Sequence, residues 1–436
     1  MLFFQNLNRN FKKISIVCLE CKNKETDFAF ISIKDKNISF IIQNNFFFEF
    51  ITFSGKDLNL NFVESLHLSC YFEKEECCSL IECNYSNNST YQNNLFLFKI
   101  MSGSLNLINT NFYNIEVYAN SGYNHVFNFE SVLNGAILTI RNSILKNLYF
   151  TEGLIKLCVK NVNLFFKNVS FLNYNPKGFL IDTTMLNIDN SSLVNFNEIK
   201  IINCKAKVLL FLNNSYFNAS SIQIFDLNFS SATIFKIEKD NFVLLKNFTM
   251  WNIAIGSILN ANRENKIIML KNHIQKIKTF SRFSFFFSEA NKIIIKESFY
   301  SEINCFDAFM NFYKNNYIVF AKNNFQLFSA SNIVNAIPLE LKGIIFFNVS
   351  NSCFLYGQKI SSFYNSSHSW FLFNIFNFAI CKYLIFSDSS FVAFRPVIHA
   401  NYSNEFKVKD IKFININSII TICFYLTNLS ILFASN

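Results

Sequence analysis

A period, more than any composition, limits what this chain can fold into. Short apolar segments return in nearly the same dress: "NFVLLKNFTM" at 241–250, "NKIIMLKNHI" at 265–274, "NKIIIKESFY" at 291–300 and "NYIVFAKNNF" at 316–325. Marking the residue after the last apolar position gives Arg141, Lys167, Lys246, Lys271, Lys296, Lys322, Asn348 and Asn374. The intervals are 25 or 26 residues, apart from one of 79 that is close to three periods. A fixed period of this length implies stacked units, each unable to bury its apolar face alone.

Each unit reads as an apolar segment, a polar connection, a second apolar segment, an Asn-centred turn and an aromatic. The segments are short and rich in Ile, Phe, Val and Leu, which suits strands. None sustains a helical stripe over the length that helical repeats would need. The expected architecture is therefore all-β, a parallel β-helix of about 25–26 residues per coil. Each strand would pair with its equivalent one coil on, about 4.8 Å away.

Stacking makes two residue-level predictions. The position after each mark holds Asn142, Asn168, Asn247, Asn272 and Asn323. Asn tolerates the left-handed backbone of a sharp turn, and stacked amides can hydrogen-bond along the column, so these five are expected to form an Asn ladder. The marks themselves place Lys246, Lys271, Lys296 and Lys322 in one exposed column, neighbours about 5 Å apart. Such a column either splays into solvent or attracts an anionic partner, an acidic glycan or lipid headgroups; another protein is a further partner class.

With 436 residues and 51% hydrophobic content the chain has ample material for a core. Only 9 Gly and 3 Pro serve it, so Asn, Ser and Asp must carry the turns. The net charge of +10 is spread along the chain with no Lys/Arg run of the kind a nucleic-acid arm uses, and no nucleic-acid partner is expected. Three regions are expected: an N-terminal cap with Cys-containing first coils (1–99), the β-helix repeats (100–415) and a last partial coil or cap (416–436). The uncharged stretch 418–434 reads as two further strands in preference to a membrane helix.

At this point the chain resembles the right-handed parallel β-helix proteins of the pectin-lyase-like superfamily, and within it the non-enzymatic surface repeats of polymorphic outer-membrane and ciliate surface proteins. Those repeats combine Gly-Gly-Ala-Ile with Phe-x-x-Asn. Here "NGAI" at 134–137 is near the first, and the second occurs at Phe165–Asn168, Phe211–Asn214, Phe225–Asn228, Phe312–Asn315, Phe320–Asn323 and Phe371–Asn374. The resemblance spans about residues 100–415 and implies a right-handed solenoid without catalysis.

Six of the 12 cysteines, Cys158, Cys204, Cys305, Cys353, Cys381 and Cys423, are dispersed and read as small core residues. "CYFEKEECCSLIEC" places Cys70, Cys77, Cys78 and Cys83 close together. These form a disulfide-stapled loop or remain free thiols; alternatively "CLEC" at 18–21 holds zinc with Cys77 or Cys78 and Cys83, although a second matched knuckle for zinc is missing. A disulfide cluster and frequent Asn-x-Ser/Thr triplets together favour an extracellular or cell-surface location; the basic start, with Arg9, Lys12 and Lys13, leaves an organelle as the alternative.

Nothing in the sequence assembles a catalytic set. His67, His125, His273, His368 and His399 lie far apart, and neither Asp182 with Asp189 nor any other carboxylate pair has the spacing of a cluster on one strand face. No cofactor is expected. The functional expectation is a non-enzymatic structural or adhesion-type solenoid, one portion of a larger surface protein. The alternatives are a polysaccharide lyase or hydrolase on the same scaffold, or an organelle structural subunit.

Overall fold

The computed structural model describes side chains chiefly at 137–148, 162–175, 183–190, 193–305, 308–326, 352–356, 378–387 and 405–415, and elsewhere strands of the backbone alone. The chain is all-β, its strands stacked in parallel as a β-solenoid. It forms two compact units, Met1–Phe217 and Asn218–Asn436.

In the second unit every coil contributes to three parallel sheets. Sheet 1 contains Phe242–Lys246, Lys266–Leu270, Lys292–Lys296, Tyr317–Ala321 and Ser352–Tyr356. Sheet 2 takes the start of Thr249–Arg263, then His273–Thr279, Phe299–Asn304 and Asn324–Gln326. Sheet 3 takes the end of Thr249–Arg263, then Phe283–Glu289, Ala308–Lys314 and Gly343–Val349.

Left-handed residues make the corners. Asp240, Glu264, Ala290 and Asn315 precede sheet 1; Ser221, Asn247, Lys271, Glu297 and Lys322 separate sheets 1 and 2; Asp226, Asn252, Lys276 and Glu302 separate sheets 2 and 3. The corners before sheet 2 recur every 24 to 26 residues, which is the period seen in the sequence. A left-handed residue lets two successive side chains point outward, so the in–out alternation restarts in the correct phase on the next sheet. Lys and Glu there cost about 1 kcal/mol each in backbone strain, held by the sheet pairing on both sides. The first unit repeats the design with Asn142, Asn168 and Glu198, and with Asn147, Asn173 and Asn203 five residues later.

The core is the stack of inward positions. Val243, Ile267, Ile293, Ile318, Cys353, Ala379 and Phe406 form one register row, and all are fully buried. Each large aliphatic side chain in such a row contributes about 2 kcal/mol by burial. Rings stack the same way: Phe166 on Phe196 at 4.8 Å, Phe287 on Phe312 at 4.7 Å and Tyr300 on Phe325 at 5.0 Å.

Cys204, Cys305, Cys353 and Cys381 are buried and outside any disulfide, the core role expected of them. Burial pushes the Cys204 thiol up to about 12 and raises Cys353 and Cys381 as well. Thiolate is the reactive form. Maleimide labelling followed by peptide mapping should therefore leave these four unmodified in the native protein and modify them on denaturation; native labelling would contradict the packing.

Two expectations need correction. Asn348 and Asn374 are not at a coil corner: their strands, Gly343–Val349 and Phe371–Asn374, pair in sheet 3. The register partner of Ala321 is Tyr356, so the period lengthens there. Cys70, Cys77, Cys78 and Cys83 lie outside the described residues. At the C-terminus, strands Phe424–Leu429 and Leu432–Ser435 occupy the stretch read as two strands. Among the described residues no helix is long and apolar enough to cross a membrane.

Candidate functional site

Sheet 1 does not align the four marked lysines. Lys246 pairs in register with Leu270, Leu270 with Lys296 and Lys296 with Ala321. Lys271 and Lys322 fall one residue later, at left-handed corners shared with Asn247 and Glu297. The single column is thus two interrupted ones, and Lys271 Nζ lies 3.9 Å from Glu297 Oε2. The cause is the strand start. Asn241, Asn265, Asn291 and Asn316 fix the register, and the first lysine stands five residues after its Asn whereas Lys271 stands six after. A slip by one would turn the buried row outward, so the lysines yield.

The Asn ladder also divides. Asn168 Nδ2 donates to Asn142 Oδ1 at 3.2 Å on an exposed corner of the first unit. Asn247 occupies the equivalent corner of the second unit. Asn272 and Asn323 sit one residue further on and are buried, with Ser298 between them and Gln358 beyond. There Phe248 N–H donates to Asn272 Oδ1 at 3.1 Å, and Asn323 Nδ2 to Gln358 Oε1 at 3.1 Å. A third ladder, Asn241–Asn265–Asn291–Asn316, is the most regular, and the sequence reading passed over it. Its signal was the Asn that opens each repeated decapeptide.

The surface that sequence reasoning missed is sheet 2. Thr249, His273 and Phe299 share one outward row; in the next register row Trp251 and Gln275 face outward and Ser301 is buried. Trp251 is 39% exposed, with Lys276 Nζ 5.1 Å from its ring centre. The His273 ring lies 4.7 Å from that of Phe299. His273 Nε2 is 3.2 Å from Gln275 Oε1, and Gln275 Nε2 donates to Glu302 Oε1 at 2.5 Å. One coil earlier along the same corner, Asn252 Nδ2 donates to Asp226 Oδ1 at 2.6 Å. Aromatic plates edged by amides, carboxylates and an ammonium offer both stacking and oriented hydrogen bonds to a polyhydroxylated ligand. An imidazole and a carboxylate joined through one amide are also groups that can move protons. Among the described residues no three His, Cys, Asp or Glu side chains gather in a way that would hold a metal.

Three sheets of parallel strands, turned at left-handed corners and laddered with Asn, define the architecture. The fold is a parallel β-helix. No protein-family model and no curated protein matches the chain. Among solved structures it is similar to the A-module of the Azotobacter vinelandii mannuronan C-5 epimerase AlgE6, at 6% identity over 93% of this chain and 90% of that one, TM-score 0.32. It is similar also to a mutant tailspike of E. coli bacteriophage HK620 in complex with a hexasaccharide, at 10% identity over 91% and 73%, TM-score 0.32. A third is the Yersinia enterocolitica family 28 exopolygalacturonase, at 8% identity over 78% and 72%, TM-score 0.23.

These likenesses are of fold. The outer-membrane and ciliate repeat type has no counterpart among them, and the expectation of a non-enzymatic adhesion-type β-helix is corrected: the similar structures are a mannuronan C-5 epimerase module, an exopolygalacturonase and a tailspike in complex with a hexasaccharide. On the surface, His273 and Glu302 meet through Gln275, a link that residue spacing alone does not announce.

Proposed function

We propose that the protein acts on a polysaccharide held across sheet 2 of its second unit. The observation that carries the reading is the join of an exposed aromatic plate, Trp251, to the His273–Gln275–Glu302 chain on one strip that spans three coils. Hydrolysis by paired carboxylates fits poorly. Asp226 and Glu302 occupy equivalent corners three coils apart, about 14 Å by strand spacing. Paired-carboxylate glycosidases need at most about 9.5 Å.

β-Elimination on a uronate suits the residues better. His273 would take the proton from C5 while Lys276 balances the sugar carboxylate. The C4–O bond then breaks as the C4–C5 double bond forms, and the departing oxygen is protonated from water.

The test is turnover of uronate polymers, followed by absorbance of the new double bond. Trp251→Ala should weaken binding about tenfold, the loss of about 1.4 kcal/mol of stacking. His273→Ala should lower turnover about 100-fold or more with binding retained, the usual scale of general-base loss. A chain that binds no polysaccharide, or that cleaves equally well without His273, would remove the reading.

A further inference from the structure

Sheet 1 of the second unit presents a different chemistry. Its four strands from Phe242 to Ala321 carry three outward rows: Phe242–Lys266–Lys292–Tyr317, Leu244–Ile268–Ile294–Val319 and Lys246–Leu270–Lys296–Ala321. Four of these twelve positions are lysine and none is a carboxylate. The lysines stand in the two flanking rows, and the middle row is wholly aliphatic. Register extends that middle row to Phe354 and Ile380, and the last row to Lys382. Rings punctuate the first row: Lys266 Nζ is 5.0 Å from the Phe242 ring centre, Lys292 Nζ is 5.6 Å from that of Tyr317, and Tyr317 is 43% exposed.

We propose that this face docks on an anionic lipid surface. Positive charge alone would suit any polyanion. The aliphatic row decides between partners, because a hydrated polymer would cover Ile268 and Ile294 without dissolving them. A bilayer interface accepts both parts: the lysine heads reach acidic headgroups while their stems and the aliphatic row face the acyl boundary. Tyr317 and Phe242 stand at the rim, where amphipathic rings are at home. The docking face is independent of sheet 2 and does not rest on the polysaccharide reading.

The experiment is co-sedimentation of the full chain with vesicles of phosphatidylcholine alone and with added phosphatidylserine, at low and high salt. Binding should require phosphatidylserine and fall with salt. Each lysine near the surface is worth about a fivefold step in partitioning, so the variant Lys266→Gln, Lys292→Gln, Lys296→Gln should bind about 100-fold more weakly with circular dichroism unchanged. Ile294→Ser should weaken vesicle binding severalfold while leaving its salt dependence in place, and Trp251→Ala should have no effect. Failure of the wild-type chain to bind phosphatidylserine vesicles overturns the proposal. So does an Ile294→Ser variant that binds normally while the same lysines retain polygalacturonate, since the face would then read a soluble polyanion.

Discussion

Replacing Asn291 by Ala is expected to destabilise the second unit by about 3–5 kcal/mol, the cost of orphaning two or more buried polar groups at about 1–3 kcal/mol each. Asn291 is 1% exposed and is bonded on both sides. Its Oδ1 accepts from the backbone N–H of Asn265 at 3.1 Å and from the Asn265 amide at 3.1 Å. Its Nδ2 donates to the carbonyl of Asn262 at 2.7 Å and to Asn316 Oδ1 at 3.1 Å. Ala keeps the backbone and loses all four, leaving the Asn265 N–H and the Asn262 carbonyl without partners in a space no longer filled.

Asn291→Ser should cost roughly half as much. Serine is already the rung at Ser298, where its hydroxyl donates to the Lys296 carbonyl at 3.1 Å and accepts from Asn272. Urea unfolding with hydrogen exchange read coil by coil would measure both. Loss of protection should begin at Asn265 and Asn316, since each coil leans on its neighbours. A change below about 1 kcal/mol for Asn291→Ala would mean that the ladder is ornamental.

That ladder also marks where sequence reading succeeded and where it stopped. The period was legible because each coil must return to the same inward Ile, Leu or Phe, so spacing survives even where identities drift. Register within the period was not. Lysine at 246 and lysine at 271 look equivalent in the string, yet one ends a strand and the other is the left-handed corner, separated by the extra residue in "KIIML".

The deciding residue was the Asn at each strand start, whose role is to satisfy backbone N–H groups in the coil before it. No local pattern announces a bond to a residue 24 to 26 positions away. Sheet 2 was illegible for the same reason. Gln275 and Glu302 are 27 residues apart and meet only because left-handed corners at Lys276 and Glu302 stack. Reading such groups one at a time makes every titratable side chain look solitary, which is how the non-enzymatic expectation arose.

Packing along the stack can be tested as directly as the hydrogen bonds. Phe312→Ala is expected to cost about 3–5 kcal/mol, the range for deleting a large aromatic from a core that relaxes only in part. Phe312 is fully buried in sheet 3. Its ring lies 4.7 Å from that of Phe287, nearly parallel at 1°, and 5.8 Å from that of Phe320 in an edge-on contact at 81°. It therefore ties two coils together and also spans from sheet 3 to sheet 1. Removing it leaves a hole against both rings, and the strand pairing on either side prevents the coils from closing it. Phe312→Leu, which keeps most of the volume, should lose less than half as much. The adjacent Tyr313 points the other way, 49% exposed, so Tyr313→Ala should stay within about 0.5 kcal/mol. Denaturant titration of the three variants separates the cases. Equal losses at 312 and 313 would mean that this strand does not alternate inward and outward, and the three-sheet coil could not then be built as described.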